Sequence, residues 1–203
     1  MSGKSKTFGG YICAPYLHDH DSIELKDNFV SSTNIESLYF VTATFSDDSK
    51  PYFSTSSNHY ILAKFKNAEK VRKEIFSHDV SKPSFLFNVD NFIFDRPSIN
   101  NTNFISIYYL EYGDSQSDLR DVSAHVAIRS KVKKAVFGNL NLLSNESPKF
   151  SFPYSDHIVI LEISSDKSHQ SDNKYCEQTR RDICRKGIVM NNLVSLSILE
   201  KMK

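Results

Sequence analysis

A chain of 203 residues with 39% hydrophobic and 24% charged residues has the composition of one well-packed globular domain and not of a disordered segment. Its 25 Lys and Arg against 24 Asp and Glu leave a formal charge of +1, which excludes a surface that grips phosphate backbones by long-range attraction alone. Cys13, Cys176 and Cys184 are an odd number with no CxxC pair, so the expectation is free thiols in a reducing compartment, cytoplasmic or nuclear.

The opening segment, MSGKSKTFGGYICAPYL (1–17), is polar and never develops an apolar run of signal-peptide length. No segment reaches the ~18 consecutive apolar residues of a membrane-spanning helix, so a soluble intracellular protein with no membrane partner is expected. The two glycines of TFGG bend the chain or let two backbones approach closely. They are far from GxxxxGK[ST] or GxGxxG, and no cofactor is implied.

In YLHDHDSIEL (16–25), two histidines alternate with two aspartates. On an extended chain His18 and His20 point to one side and the aspartates to the other, so only half the set can converge. No partner of metal-ligand spacing completes a shell, and the pattern reads as a solvated turn entering a helix capped by Asp21 or Ser22. No metal is expected; His18 and His20 are the only candidates for one.

Alternation then dominates. LYFVTATF (38–45) and HYILAKFK (59–66) read as antiparallel strands separated by turn-forming Asp47, Asp48, Ser49 and Pro51. NAEKVRKEIFSH (67–78) has apolar residues at helical spacing behind Asn67 as N-cap. SFLFNV (84–89), NFIF (91–94) and NFISIYYLEY (103–112) follow as strands, and SAHVAIRSKVKKAVFGNL (123–140) as a hairpin around Ser130 or one long bent strand. HIVILEIS (157–164) is almost continuously apolar, the pattern of a strand covered on both faces. No internal repeat is visible.

From Ser171 the spacing of apolar residues at 176, 183, 190, 194 and 198 predicts a long helical segment, with Gly187 as a break between two helices. Cys176 and Cys184, two turns apart on such a helix, would stand about 12 Å from each other, too far for a disulfide. The fold class expected is therefore a β-rich α+β domain. It would have a mainly antiparallel sheet or partly closed small barrel of six to eight strands, one short inserted helix and a long C-terminal helix. The division expected is a β-rich domain over 1–165 and a helical segment over 166–203 that packs on the domain or on a partner.

Three functions are compatible with these residues. Ile188, Val189, Leu193, Val194, Leu196, Ile198 and Leu199 would cover more of a helix than the ~100° stripe needed for self-packing. They point to a non-enzymatic assembly subunit with a protein partner or homodimer contact through that helix. Arg129, Lys131, Lys133 and Lys134, with Tyr108 nearby, could hold single-stranded nucleic acid on an oligonucleotide-binding type of barrel. His125 and His157 each open an apolar strand and could act as acid and base in a hydrolase. The pair resembles that of paired-histidine phosphodiesterases, but the hydroxyls those enzymes carry two residues later are Ala127 and Val159 here.

Overall fold

Tyr11, Cys13, Tyr39, Val41, Tyr60 and Leu62 fall at every second position of their segments, and each needs a common dry interior. A computed structural model describes residues 9–47, 58–67, 70, 84–95, 104–111, 132–143, 157–163, 169–184 and 189–203. In it the strands close around that interior as an antiparallel barrel. In chain order they are β1 (Gly10–Pro15), β2 (Ile35–Phe45), β3 (His59–Phe65), β4 (Ser84–Asp95), β5 (Phe104–Glu111), β6 (Val132–Leu143), β7 (His157–Ile163) and β8 (Val189–Lys201). Around the barrel they run β1-β3-β2-β8-β5-β7-β6-β4, with β4 pairing back to β1. Helix α1 (His20–Ser31) covers the outer face of β1, β2 and β3 through Phe29, which packs with Ile12, Leu38 and Ile61. Helix α2 (His169–Cys184) covers the outer face of β5, β6 and β7 through Cys176. Strand β7 is accordingly buried at every position from Ile158 to Ile163, as its apolar run predicts.

Several local expectations hold. Gly9 lets the chain pass against β3: a Cβ there would lie 2.0 Å from the Phe65 carbonyl oxygen. Asn67 accepts the backbone N–H of Lys70 at 3.1 Å, the bond of a helix N-cap; residues 71–83 lie outside the described ones. The cap of α1 is Asp19, whose carboxylate accepts the Ser22 N–H at 2.9 Å, so the helix starts earlier than an Asp21 or Ser22 cap would place it. Cys13, Cys176 and Cys184 form no disulfide.

The long C-terminal helix is not present. The last helix ends at Cys184, and residues 189–201 form a strand between β2 and β5. Apolar residues at 190, 194 and 198 fit a helix, but positions four apart also share one face of a strand. The serines of VSLSI decide between the two, because Ser195 and Ser197 alternate with Val194, Leu196 and Ile198 at period two. Val194 and Leu196 pack inside against Ile105, Ile107 and Val41. Leu193 and Leu199 are the extra residues of two bulges, where Ile107 opposes Val194 while Tyr108 opposes Asn192, and Val41 opposes Ile198 while Phe40 opposes Glu200. The surplus of apolar side chains therefore belongs to an irregular strand in the barrel wall.

The absence of a repeat is corrected too. The first four strands lie in the order β4-β1-β3-β2 and the last four in the order β8-β5-β7-β6, each the 4-1-3-2 order of a split βαβ unit. The irregularities recur as well. Ile35 opposes Phe65 and Ser37 opposes Lys64, with Glu36 bulged out; Val132 opposes Ile163 and Lys134 opposes Glu162, with Lys133 bulged out. The Leu199 bulge has its counterpart at Asp90, between Val89 opposite Gly138 and Asn91 opposite Phe137. Two halves with the same strand order and bulges that recur at two positions are related by a pseudo-twofold along the barrel axis. Its trace in the sequence is HYILAKF against HIVILEI.

That symmetry puts Lys64 and Glu162 at equivalent positions on diametrically opposed strands. They meet inside the barrel, with Lys64 Nζ 2.8 Å from Glu162 Oε1 and their side chains 15% and 4% exposed. The Tyr11 hydroxyl donates to the same carboxylate, and the ammonium lies 5.6 Å from the ring centroids of both Tyr11 and Tyr39. Burial by itself raises the Glu162 pKa. The charge and hydrogen bond of Lys64, the Tyr11 hydroxyl and the charge of Lys134 more than reverse this and hold it below the ordinary value.

A depressed carboxyl pKa gives stability that is complete above the unfolded value of ~4.3 and is lost as pH falls through the folded one. In urea unfolding from about pH 7 to pH 3, Glu162→Gln is expected to lose that share of the acid sensitivity; parallel profiles for variant and parent would contradict it. Leu196→Asp is expected to prevent cooperative folding, since it puts a charge in the dry interior. A folded Leu196→Asp variant that merely loses a partner would restore the docking-helix reading.

Candidate functional site

The turn between β1 and α1 is held from three directions. Tyr16 donates its backbone N–H to the His59 carbonyl at 2.9 Å, Leu17 donates to Ser22 Oγ at 3.2 Å, and Asp19 caps the helix. Clamped in this way, His18 takes φ 58°, the one positive φ at a non-glycine among the described residues. That conformation costs roughly 1–2 kcal/mol and persists where neighbouring bonds over-determine it, commonly at functional sites.

The clamp sets four rings together. Phe40 on β2 and His59 on β3 stack face to face, with centroids 5.3 Å apart and planes 9° apart. Tyr16 stands edge-on to Phe40 at 5.5 Å and to His18 at 4.5 Å. His18 lies 6.4 Å from the rings of both Phe40 and His59. Beside these rings, between α1 and the strands, opens a cleft of about 530 Å³. Tyr16, His18 and Phe40 form its ring-bearing wall; Lys26 and Asp27 reach it from α1, and Glu200, Lys201 and Met202 close the far side. Lys26 and Asp27 approach within 3.5 Å, and the two ammonium groups and two carboxylates balance. The site is thus concave, ring-lined and electrically neutral, with donors and acceptors at its rim.

Chain positions 202 and 203 hold one side of this cleft. Lys203 Nζ donates to the carbonyls of Val30 at 3.0 Å and Ser32 at 2.6 Å, capping the carbonyl end of α1. The Met202 N–H donates to the Leu38 carbonyl at 2.8 Å.

The residues singled out in the sequence are dispersed. His18 lines the cleft, whereas His20 is solvent-facing and pairs with Glu24 at 3.8 Å. Among the described residues no three His, Cys, Asp or Glu side chains gather as a metal site. His157 is the first residue of β7, opposite Asn139, while His125 lies outside the described residues, as do Arg129, Lys131 and Ile188. Tyr108 is 1% exposed and packed in the layer beneath α2, where burial and the neighbouring Cys176 raise its pKa. Lys133 is the bulged residue of β6, and Lys134 sits opposite Glu162 near the interior ion pair. Val189 begins β8; Leu193, Val194 and Leu196 are buried inside the barrel, Ile198 packs against them, and Leu199 is half exposed. Tyr16, Phe40 and His59 were not among the sequence candidates. Their signal was an aromatic ring just past the end of β1, another within β2 and an imidazole at the start of β3, which become a site only once β1, β3 and β2 are known to be neighbours.

No family model matches this chain, and no curated protein does. Among solved structures it is similar to one described as an anthrone oxidase-like protein, at 9% identity and a TM-score of 0.43, over 99% of this chain and 94% of that one. A likeness at that level carries no argument about function.

Substituting His18 tests whether the turn is strained. His18→Val is expected to cost about 1–2 kcal/mol in urea unfolding, because a β-branched residue tolerates positive φ poorly. His18→Gly is expected to match or exceed the parent in stability. Equal losses for both would show that ring contacts and not backbone strain govern the position.

Proposed function

We propose that this chain is a small-molecule-binding barrel whose ligand is a planar aromatic molecule with uncharged polar groups, such as phenolic hydroxyls, at its edge. The observation that carries the reading is the cleft with Tyr16, His18 and Phe40 on one wall and His59 stacked behind Phe40. Its volume falls within the range of small-molecule sites, which are mostly apolar with a few placed polar groups. Aromatic side chains recognise a planar ligand by stacking and edge contacts worth about 0.5–1.5 kcal/mol each beyond burial. The balanced charges of Lys26, Asp27, Glu200 and Lys201 favour a neutral ligand over a strongly anionic or cationic one. His18, whose imidazole lines the cleft, would be the group to exchange a proton with a ligand hydroxyl.

An assembly role through residues 188–203 has less support, since Leu193, Val194 and Leu196 are used inside the barrel. Nucleic-acid binding through Tyr108 has less as well, because a ring buried beneath a helix presents no face to a base.

The probe is 2-naphthol, followed by its own fluorescence. Binding is expected, with Phe40→Ala weakening it about three- to tenfold, the loss of one aromatic contact. Charged analogues, 2-naphthoate and a quaternary 2-naphthyltrimethylammonium, are expected to bind more weakly than the phenol. Absence of binding at millimolar probe, or affinity indifferent to Phe40→Ala, would overturn the proposal.

A further inference from the structure

Two neighbouring groups on the ring-bearing wall can handle a proton. The His18 imidazole accepts and releases one, and the Tyr16 phenol donates a hydrogen bond. Both line the cleft, and their ring centroids lie 4.5 Å apart. The backbone fixes where this pair stands. His18 is held at φ 58° between the Tyr16 and Leu17 hydrogen bonds and the Asp19 cap. Glycine would occupy that conformation without strain, so an imidazole kept there against a backbone cost points to a use for the ring. Among the described lining residues there is no thiol and no alkyl hydroxyl to form a covalent intermediate. Proton transfer is the chemistry for which this wall is equipped.

We infer that the cleft catalyses the keto–enol isomerisation of an uncharged aryl ketone, with His18 as base and the Tyr16 hydroxyl as donor to the oxygen. The inference rests on the small-molecule reading above and adds to it a reaction and a substrate class. The imidazole takes a proton from the carbon between the aromatic ring and the carbonyl. The electron pair of that C–H bond becomes the C=C bond, and the carbonyl π pair moves onto the oxygen, where the Tyr16 hydroxyl donates its hydrogen bond. The imidazolium then releases its proton to water, and water protonates the oxygen. Ketone and enol have the same atoms and electrons, so no oxidant or co-reactant is consumed. The acidic C–H and the oxygen sit on adjacent carbons, so base and donor must be close neighbours, as the His18–Tyr16 contact makes them. Phe40, edge-on to Tyr16 at 5.5 Å, presents the apolar surface for the aromatic part. The enol is planar and phenol-like, and 2-naphthol is its stable analogue.

The substrate probe is 2-tetralone, incubated with the intact chain in deuterium oxide while exchange of its C1 protons is followed by NMR. Exchange is expected to exceed the rate in buffer alone and to be inhibited competitively by 2-naphthol. His18→Asn keeps a residue that tolerates positive φ but removes the base, and is expected to lower kcat for exchange at least about a hundredfold. Tyr16→Phe keeps the ring and removes the donor, with an expected loss of about tenfold in kcat. Phe40→Ala is expected to act mainly on KM, raising it about three- to tenfold. Far-UV circular dichroism confirms that each variant is folded. Exchange at the buffer rate by a protein that binds 2-naphthol would overturn the isomerisation and leave the binding site. Exchange that is as fast in His18→Asn as in the parent, or indifferent to 2-naphthol, would also overturn it. Neither exchange nor bound 2-naphthol would overturn both readings, so the two failures are distinguishable.

Discussion

The ion pair between Lys64 and Glu162 is the constraint around which the rest of the molecule is arranged. It crosses the interior of a closed eight-stranded barrel between strands on opposite sides, and it sits where a pseudo-twofold axis makes one half meet the other. Two identical halves would bring like side chains together there, and a buried Lys–Lys or Glu–Glu contact would be driven apart by charge or neutralised. One lysine and one glutamate remove that conflict, and the Tyr11 hydroxyl fills a further acceptor site on the carboxylate. Burial of both charges is costly, so the pair contributes less to net stability than its short distance suggests. It does specify which half lies opposite which: breaking it by removing one partner leaves a charge stranded in the core.

Closure of the barrel has two consequences for chemistry. All strand edges are consumed, so no unpaired edge is left among the described strands for a peptide to join. The interior is filled with side chains, including Tyr39, Tyr60, Leu62, Ile107 and Leu196, so the described ligand-sized space lies outside the sheet, where α1 stands off from β2 and β3. The strained turn at His18, the packing of Phe29 on the sheet and the Lys203 cap together fix α1 beside this space. Site and scaffold are thus linked through the entry and exit of a single helix.

How much of this could be read from the residues differs by element. HIVILEIS announced a strand covered on both faces, and Ile158 to Ile163 are all buried; that much is local information. The segment after Ser171 misled because a four-residue spacing suits a helix and a strand alike, while two bulges obscured the alternation that would have separated them. Strand β1 escaped notice since Gly10–Pro15 is short and begins and ends in residues that usually break strands. Nothing in the apolar run around Glu162 points to its partner, and only the strand order places Lys64 across from it. Phe40 and His59 lie on consecutive strands that pair, but Tyr16 joins them only because β1 pairs with β3 and not with β2, the next strand in the chain. The duplication was hidden for a related reason: what repeats is strand order and bulge position, and the side chains have diverged except in traces such as the paired histidines that open β3 and β7.

A double-mutant cycle on the interior pair tests this account most directly. Urea unfolding would be measured for the parent, Lys64→Met, Glu162→Leu and the double variant. Each single variant is expected to lose about 3 kcal/mol, the lower end of the cost of breaking a buried pair because Lys64 keeps partial exposure. The double variant is expected to lose much less than the sum, with a coupling energy of at least ~1 kcal/mol. Strictly additive losses would mean that the two charges do not meet inside the barrel, and the two-half architecture described here would be wrong.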